Sequence, residues 1–82
     1  MLKIEKQFEC NNITQVARKI AELTNTAIDK DMVKYYCSAI KKSKQASDTF
    51  DYVAFDENGK EHDVTIWIGF DFSTKQWLVS RL

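Results

Sequence analysis

An Asn-Gly pair at positions 58 and 59 separates two runs that alternate apolar and polar side chains. It constrains the fold more than any other stretch. Asn-Gly is the favoured occupant of a type I′ turn, which needs positive φ at both central residues and joins antiparallel strands through a two-residue loop. That loop predicts Glu57 opposite Lys60, Asp56 opposite Glu61, Phe55 opposite His62, Val53 opposite Val64 and Phe50 opposite Trp67. Side chains alternate faces along a strand, so the register sorts them into two surfaces. One carries Val53, Phe55, Val64, Ile66, Ile68 and Phe70, and the other Phe50, Tyr52, Ala54, Thr65 and Trp67. A third strand over 76–82 follows the loop 71–75. A tight hairpin there sets Ile68 near Leu78 and Gly69 opposite Trp77, adding Leu78 and Leu82 to the first face and Trp77 and Val79 to the second.

The first face is thus expected to be aliphatic and the second aromatic. A sheet covered on one side is normally polar on the other. Three readings fit the second face: aromatic strand formers that tolerate water, a face covered by a helix, or a docking or dimerisation surface. Tyr and Trp are enriched at such surfaces because they combine large area with a polar handle.

Upstream, Leu2, Ile4, Phe8 and Cys10 alternate with Lys3, Glu5, Gln7 and Glu9, which predicts a half-buried strand with Lys6 as its one inward charge. Asn12 and Gln15 form a capping box ahead of the stripe Ile13, Val16, Ala17, Ile20 and Leu23. Thr24-Asn25 ends that helix. Thr26 and Asp29 suggest a second capping box, followed by the stripe Ile28, Met32, Tyr36 (or Tyr35), Ala39 and Ile40 to about Lys44. The predicted order is strand, helix, helix and three strands. Helices grouped together and strands grouped together indicate an α+β fold, with one mainly antiparallel four-stranded sheet and two helices packed on one face. The position of the first strand, beside the second or the last, is open from sequence.

Eighty-two residues allow one domain, 1–82, and 44% apolar content is enough for a core. The N-terminus lacks an apolar signal region, no stretch approaches a membrane span, and two cysteines make no disulfide framework, so a cytoplasmic protein with reduced thiols is expected. The sequon Asn12-Ile13-Thr14 is read as coincidental. Formal net charge is zero but uneven: residues 1–47 hold nine basic and five acidic side chains, and residues 48–82 three and seven. Lys30, Lys34, Lys41, Lys42 and Lys44 crowd the second helix, and Asp56, Glu57, Glu61 and Asp63 crowd the hairpin.

Catalytic and ligand-binding patterns are not evident. Nothing in the sequence brings Cys37 and His62 together as a thiol–imidazole pair, and Cys37 falls mid-helix, where a packed thiol is the usual reading. Two cysteines and one histidine match no zinc spacing. Both glycines belong to strands and turn, leaving no phosphate loop. No enzyme, cofactor, metal or small-molecule substrate is therefore expected.

The leading expectation is a non-enzymatic interaction protein that docks on a basic surface of a larger partner. Such surfaces are common on proteins that handle nucleic acid, so an inhibitor of one is the favoured form. Size alone suggests a phage or other mobile element as its source. The expected contact residues are Tyr52, Asp56, Glu57, Glu61, Asp63, Trp67 and Trp77, and the same face offers a homodimer contact. The alternative is a nucleic-acid-binding module using the row Lys30, Lys34, Lys41 and Lys42. A helix-turn-helix fits poorly: setting Ala17 as its small residue puts Glu22 and Lys30 at positions that should be buried, and the wing would be acidic.

Overall fold

The structure, a computed structural model, describes residues 7–82. Six elements follow the expected order: β1 (Phe8–Cys10), α1 (Ile13–Thr24), α2 (Lys30–Ser43), β2 (Ser47–Phe55), β3 (Glu61–Asp71) and β4 (Gln76–Arg81). The sheet is wholly antiparallel with spatial order β1-β4-β3-β2, so the first strand docks beside the last. The expected strand segment 2–6, with its inward Lys6, lies outside the described residues.

Helix α1 forms as its sequence dictates. Asn12 is extended and its side chain accepts from the Gln15 N–H at 2.9 Å, while Gln15 Oε1 accepts from Asn11 N at 2.7 Å. Between them they satisfy backbone donors that a helix start leaves open. The Asn12 carboxamide of the sequon is thus engaged in the cap. At the other end Asn25 turns left-handed, φ 52°, and its backbone N–H reaches the Ala21 carbonyl. Val16, Ala17 and Ile20 are buried.

Helix α2 departs from expectation at its start. Asp29, not Thr26, is its N-cap, accepting from Asp31 N at 2.9 Å, and the first helical residue is Lys30. Its buried row is Val33, Cys37 and Ile40. Met32, Tyr36 and Ala39 flank that row half-buried, and Tyr35 is 70% exposed. The stripe is rotated because α2 packs against α1 as well as against β2 and β3.

Both hairpin registers differ from expectation by one residue. Phe55 faces Glu61, Ala54 faces His62, Val53 faces Asp63, Tyr52 faces Val64 and Phe50 faces Ile66. The cause is the turn. Asp56 N donates to Lys60 O and Gly59 N to Asp56 O, both at 3.0 Å, while Asp56 Oδ1 accepts from Asn58 N and Lys60 N, each at 2.9 Å. Gly59 has φ 79°, whereas Asn58 is not among the residues with positive φ. This is a type I turn closed by a left-handed glycine, a three-residue loop in place of the two-residue type I′ loop. In the second hairpin Phe70 faces Trp77 and Gly69 faces Leu78 around the four residues 72–75, where Lys75 takes φ 59° and donates to Asp71 O at 2.7 Å.

A slip of one residue exchanges the faces of a strand. β3 keeps Val64, Ile66, Ile68 and Phe70 under the helices, but its partners there are Phe50, Tyr52 and Ala54 from β2 and Trp77 and Val79 from β4. The expected aromatic face does not form, since Phe50 and Trp77 are core residues. Tyr36 stacks on Phe50 with centroids 4.6 Å apart, and Phe70 packs on Trp77 at the same separation. The molecule measures 40 × 30 × 18 Å. Its least dimension fits one helix layer on one sheet, and among the described residues no helix covers the second sheet face.

Candidate functional site: the open sheet face and hairpin tip

The uncovered face carries the odd-numbered residues of β2 and β3 and the even-numbered residues of β4. Val53, Phe55, Trp67, Leu78 and Leu82 are half-buried there. Trp67 lies flat along its own strand over Gly69. A Cβ at Gly69 would run into the indole, reaching Cζ2 at 2.7 Å and Cη2 closer still. Gly69 therefore serves close approach: its missing side chain is the seat of the Trp67 ring.

Charge on this face has one sign. Its charged strand positions among the described residues are Glu9, Asp51, Glu61, Asp63 and Asp71, with no lysine or arginine. Asp51 accepts from Thr65 Oγ1 at 3.2 Å, and Asp71 Oδ1 accepts from Ser73 N and Thr74 N. Glu61 and Asp63 are exposed. The basic side chains stand elsewhere: on α1 and α2, on the turns, and at Arg81 on the helix-covered side. A bare apolar strip enclosed by carboxylates can bury area against a partner and select a basic one.

At the hairpin tip, His62 Nε2 lies 3.0 Å from Asp56 Oδ2. The hydrogen bond from His62, with the backbone N–H groups of Lys60 and Asn58, holds the Asp56 carboxyl below its ordinary range. An open cleft of about 650 Å³ runs between this tip and the end of α1, lined by Glu22, Leu23, Asn25, Asp56, Glu57 and Arg81. Asn25 Nδ2 donates to Phe55 O at 3.2 Å and Arg81 Nη1 donates to Leu23 O at 3.0 Å. These bonds tie the tip and β4 to a helix end whose carbonyls would otherwise stay open.

The expected contact residues are divided among three places. Glu61, Asp63 and Trp67 share the open face. Asp56 and Glu57 sit at the tip. Tyr52 and Trp77 lie on the helix-covered side: Trp77 is 4% exposed, and Tyr52 is half-buried with its hydroxyl donating to Ala27 O at 2.9 Å. The placement of these last two on the face of Trp67 is corrected by the register. Sequence reasoning also missed Asp51, Val53, Phe55 and Leu78. One signal could have found them, because the type I′ register sets Asp51 opposite Ile66 and so places a carboxylate under the helices.

Lys30, Lys34, Lys41 and Lys42 are exposed on α2, and the Lys41 ammonium lies 5.2 Å from the Phe70 ring centroid. Cys37 is fully buried, whereas His62 is exposed and bonded to Asp56. Among the described residues no group of three or more His, Cys, Asp or Glu side chains is placed to hold a metal ion, and no helix is long and apolar enough to cross a membrane. A scan against protein-family models, a search of curated proteins and a search of solved structures each returned no match to this chain.

Proposed function

We propose that this protein is a non-enzymatic interaction module that docks on a basic surface of a larger protein through its open sheet face. One observation carries the reading: the face joins a half-buried apolar strip, centred on Trp67, to charged strand positions that are all acidic among the described residues. Apolar burial supplies the affinity and the carboxylates supply orientation and encounter rate. A basic surface of this kind is what a protein presents to DNA or RNA, so occupying it would inhibit nucleic-acid binding by the partner.

The test is affinity capture from a lysate of the source cells, with and without nuclease, comparing wild type with a Asp63→Lys, Trp67→Ala double variant of unchanged circular dichroism. Capture of a protein that survives nuclease and is lost in the double variant supports the reading. Capture unaffected by the double variant removes it.

A second reading rests on α2. Tyr35, at 70% exposure, stands on the same helix as Lys30, Lys34, Lys41 and Lys42, an arrangement that can pair phosphates and stack a base. It is favoured if capture disappears with nuclease, and if Lys34→Glu with Lys41→Glu abolishes a salt-sensitive gel shift. Absence of any shift at low salt would dispose of it.

A further inference from the structure

β2 is an outer strand, and its hydrogen bonds identify which groups point away from the sheet. Ala46, Asp56 and their pairing partners close the ladder with β3: Phe70 N donates to Ala46 O at 2.8 Å and Asp56 N donates to Lys60 O at 3.0 Å. In an antiparallel ladder alternate residues bond to the same neighbour. Even-numbered residues of β2 therefore face β3, and Thr49, Asp51, Val53 and Phe55 turn their backbone groups outward. Two side-chain bonds agree with this parity. Thr49 N donates to Asp48 Oδ1 at 2.8 Å, and Phe55 O accepts from Asn25 Nδ2. The chain thus closes the outward donor at one end of β2 and the outward acceptor at the other. Between them lie the N–H and C=O groups of Asp51 and Val53, in a strand without proline, glycine or lysine.

We propose that this outward edge of β2 receives an extended, basic segment of the partner protein as a fifth antiparallel or parallel strand. The inference rests on the reading of the open face as a protein-docking surface and adds the mode of docking. Unpaired edges are templates for strand addition, with main-chain bonds giving affinity and alternate side chains giving choice of sequence. The only charged residues of β2 are Asp48 and Asp51, which project to opposite faces of the sheet. An incoming strand therefore meets a carboxylate whichever face its cations occupy. Asp63, opposite Val53, extends the negative field on the open side. Charge also argues against a second copy of this chain as the occupant. Extensive self-pairing of β2 would gather two Asp48 and two Asp51 carboxylates in one ribbon, and neighbouring like charges across strands repel.

The probe is a synthetic peptide of alternating lysine and valine, with a glutamate–valine peptide as control, titrated at low salt into the isotopically labelled full chain. The expected result is amide exchange at Asp51 and Val53 slowed by about tenfold or more with the lysine peptide and unchanged with the control. Val53→Pro removes an outward N–H that bonds to no other strand, so it should weaken peptide binding by about tenfold. Val53→Ala loses the same apolar contact but keeps the N–H, so it is the reference for the proline variant and should bind about tenfold more tightly than it. Binding with unchanged exchange at Asp51 and Val53, equal binding by the proline and alanine variants, or no binding at low salt each overturns the edge proposal. Peptide shifts confined to Trp67 and Leu78 would sink the edge alone and leave the open-face reading standing. Edge protection together with partner capture indifferent to the Asp63→Lys, Trp67→Ala variant would sink the face reading and leave the edge.

Discussion

Burial pushes the Cys37 thiol up to about 11, and it raises the Cys10 thiol as well, Lys19 opposing and Glu22 reinforcing that rise. The thiolate is the reactive form, so both cysteines should be silent toward thiol reagents in the native state at neutral pH. Labelling by an aromatic disulfide should track unfolding, reaching both thiols only in denaturant; rapid labelling of Cys37 in buffer would contradict its burial. Asp56 makes the opposite case. Its folded-state pKa lies below the unfolded value of 3.8, so its contribution is complete above that value and is lost as pH falls through the lower folded one. Asp56→Asn keeps an acceptor for the turn but does not titrate. Denaturant unfolding below pH 3.8 should therefore show a flatter acid limb in the variant. Identical limbs would mean that the contacts with His62, Lys60 N and Asn58 N do not lower the Asp56 carboxyl in solution.

Turn geometry is decided at the scale of the element. A type I′ turn would need positive φ at both Asn58 and Gly59, but the observed turn needs it only at Gly59. Gly59→Ala should cost about 1–2 kcal/mol, and Asn58→Ala less than about 0.5 kcal/mol, by denaturant titration. Equal losses would restore the two-residue loop. Lys75 occupies the left-handed region with a full side chain, φ 59°. Lys75→Gly removes that strain while adding unfolded-state entropy, for a net gain of about 0.5–1 kcal/mol and a rise of a few degrees in Tm. A fall in Tm would show that the lysine side chain contributes more than its backbone costs.

One core connects every element of the molecule. Cys10 of β1, Ile20 of α1, Ile40 of α2, Phe50 of β2, Ile66 of β3 and Trp77 of β4 belong to a single buried cluster. No layer can leave without exposing the other, so unfolding should be one cooperative transition. Far-UV circular dichroism and tryptophan emission should give coincident thermal curves; an early emission change would mean that the surroundings of Trp67 on β3 or Trp77 on β4 loosen before the rest. Charge is organised at the same scale. Among the described residues the helix layer carries most of the lysines, and the open sheet face has only carboxylates at its charged strand positions. Zero net charge thus conceals a molecule with two unlike sides, each able to steer a partner of opposite sign.

The amino-acid order by itself determined which segments are helices and strands, because capping residues such as Asn12, the apolar spacing of α1 and the alternation of β2 and β3 are local properties. It determined the α+β class, the single domain and the acidic hairpin on the same grounds. Only the tertiary structure decided which strand faces meet. Asn58-Gly59 is compatible with loops of two or three residues, and Asp56 selects the longer one by accepting from Asn58 N and Lys60 N. That one residue turns Phe50, Tyr52 and Ala54 toward the helices and Asp51, Val53 and Phe55 away from them. The second hairpin does the same for Trp77 and Leu78. Alternation specifies the two faces of a strand, but the parity of the loop specifies which of them is buried.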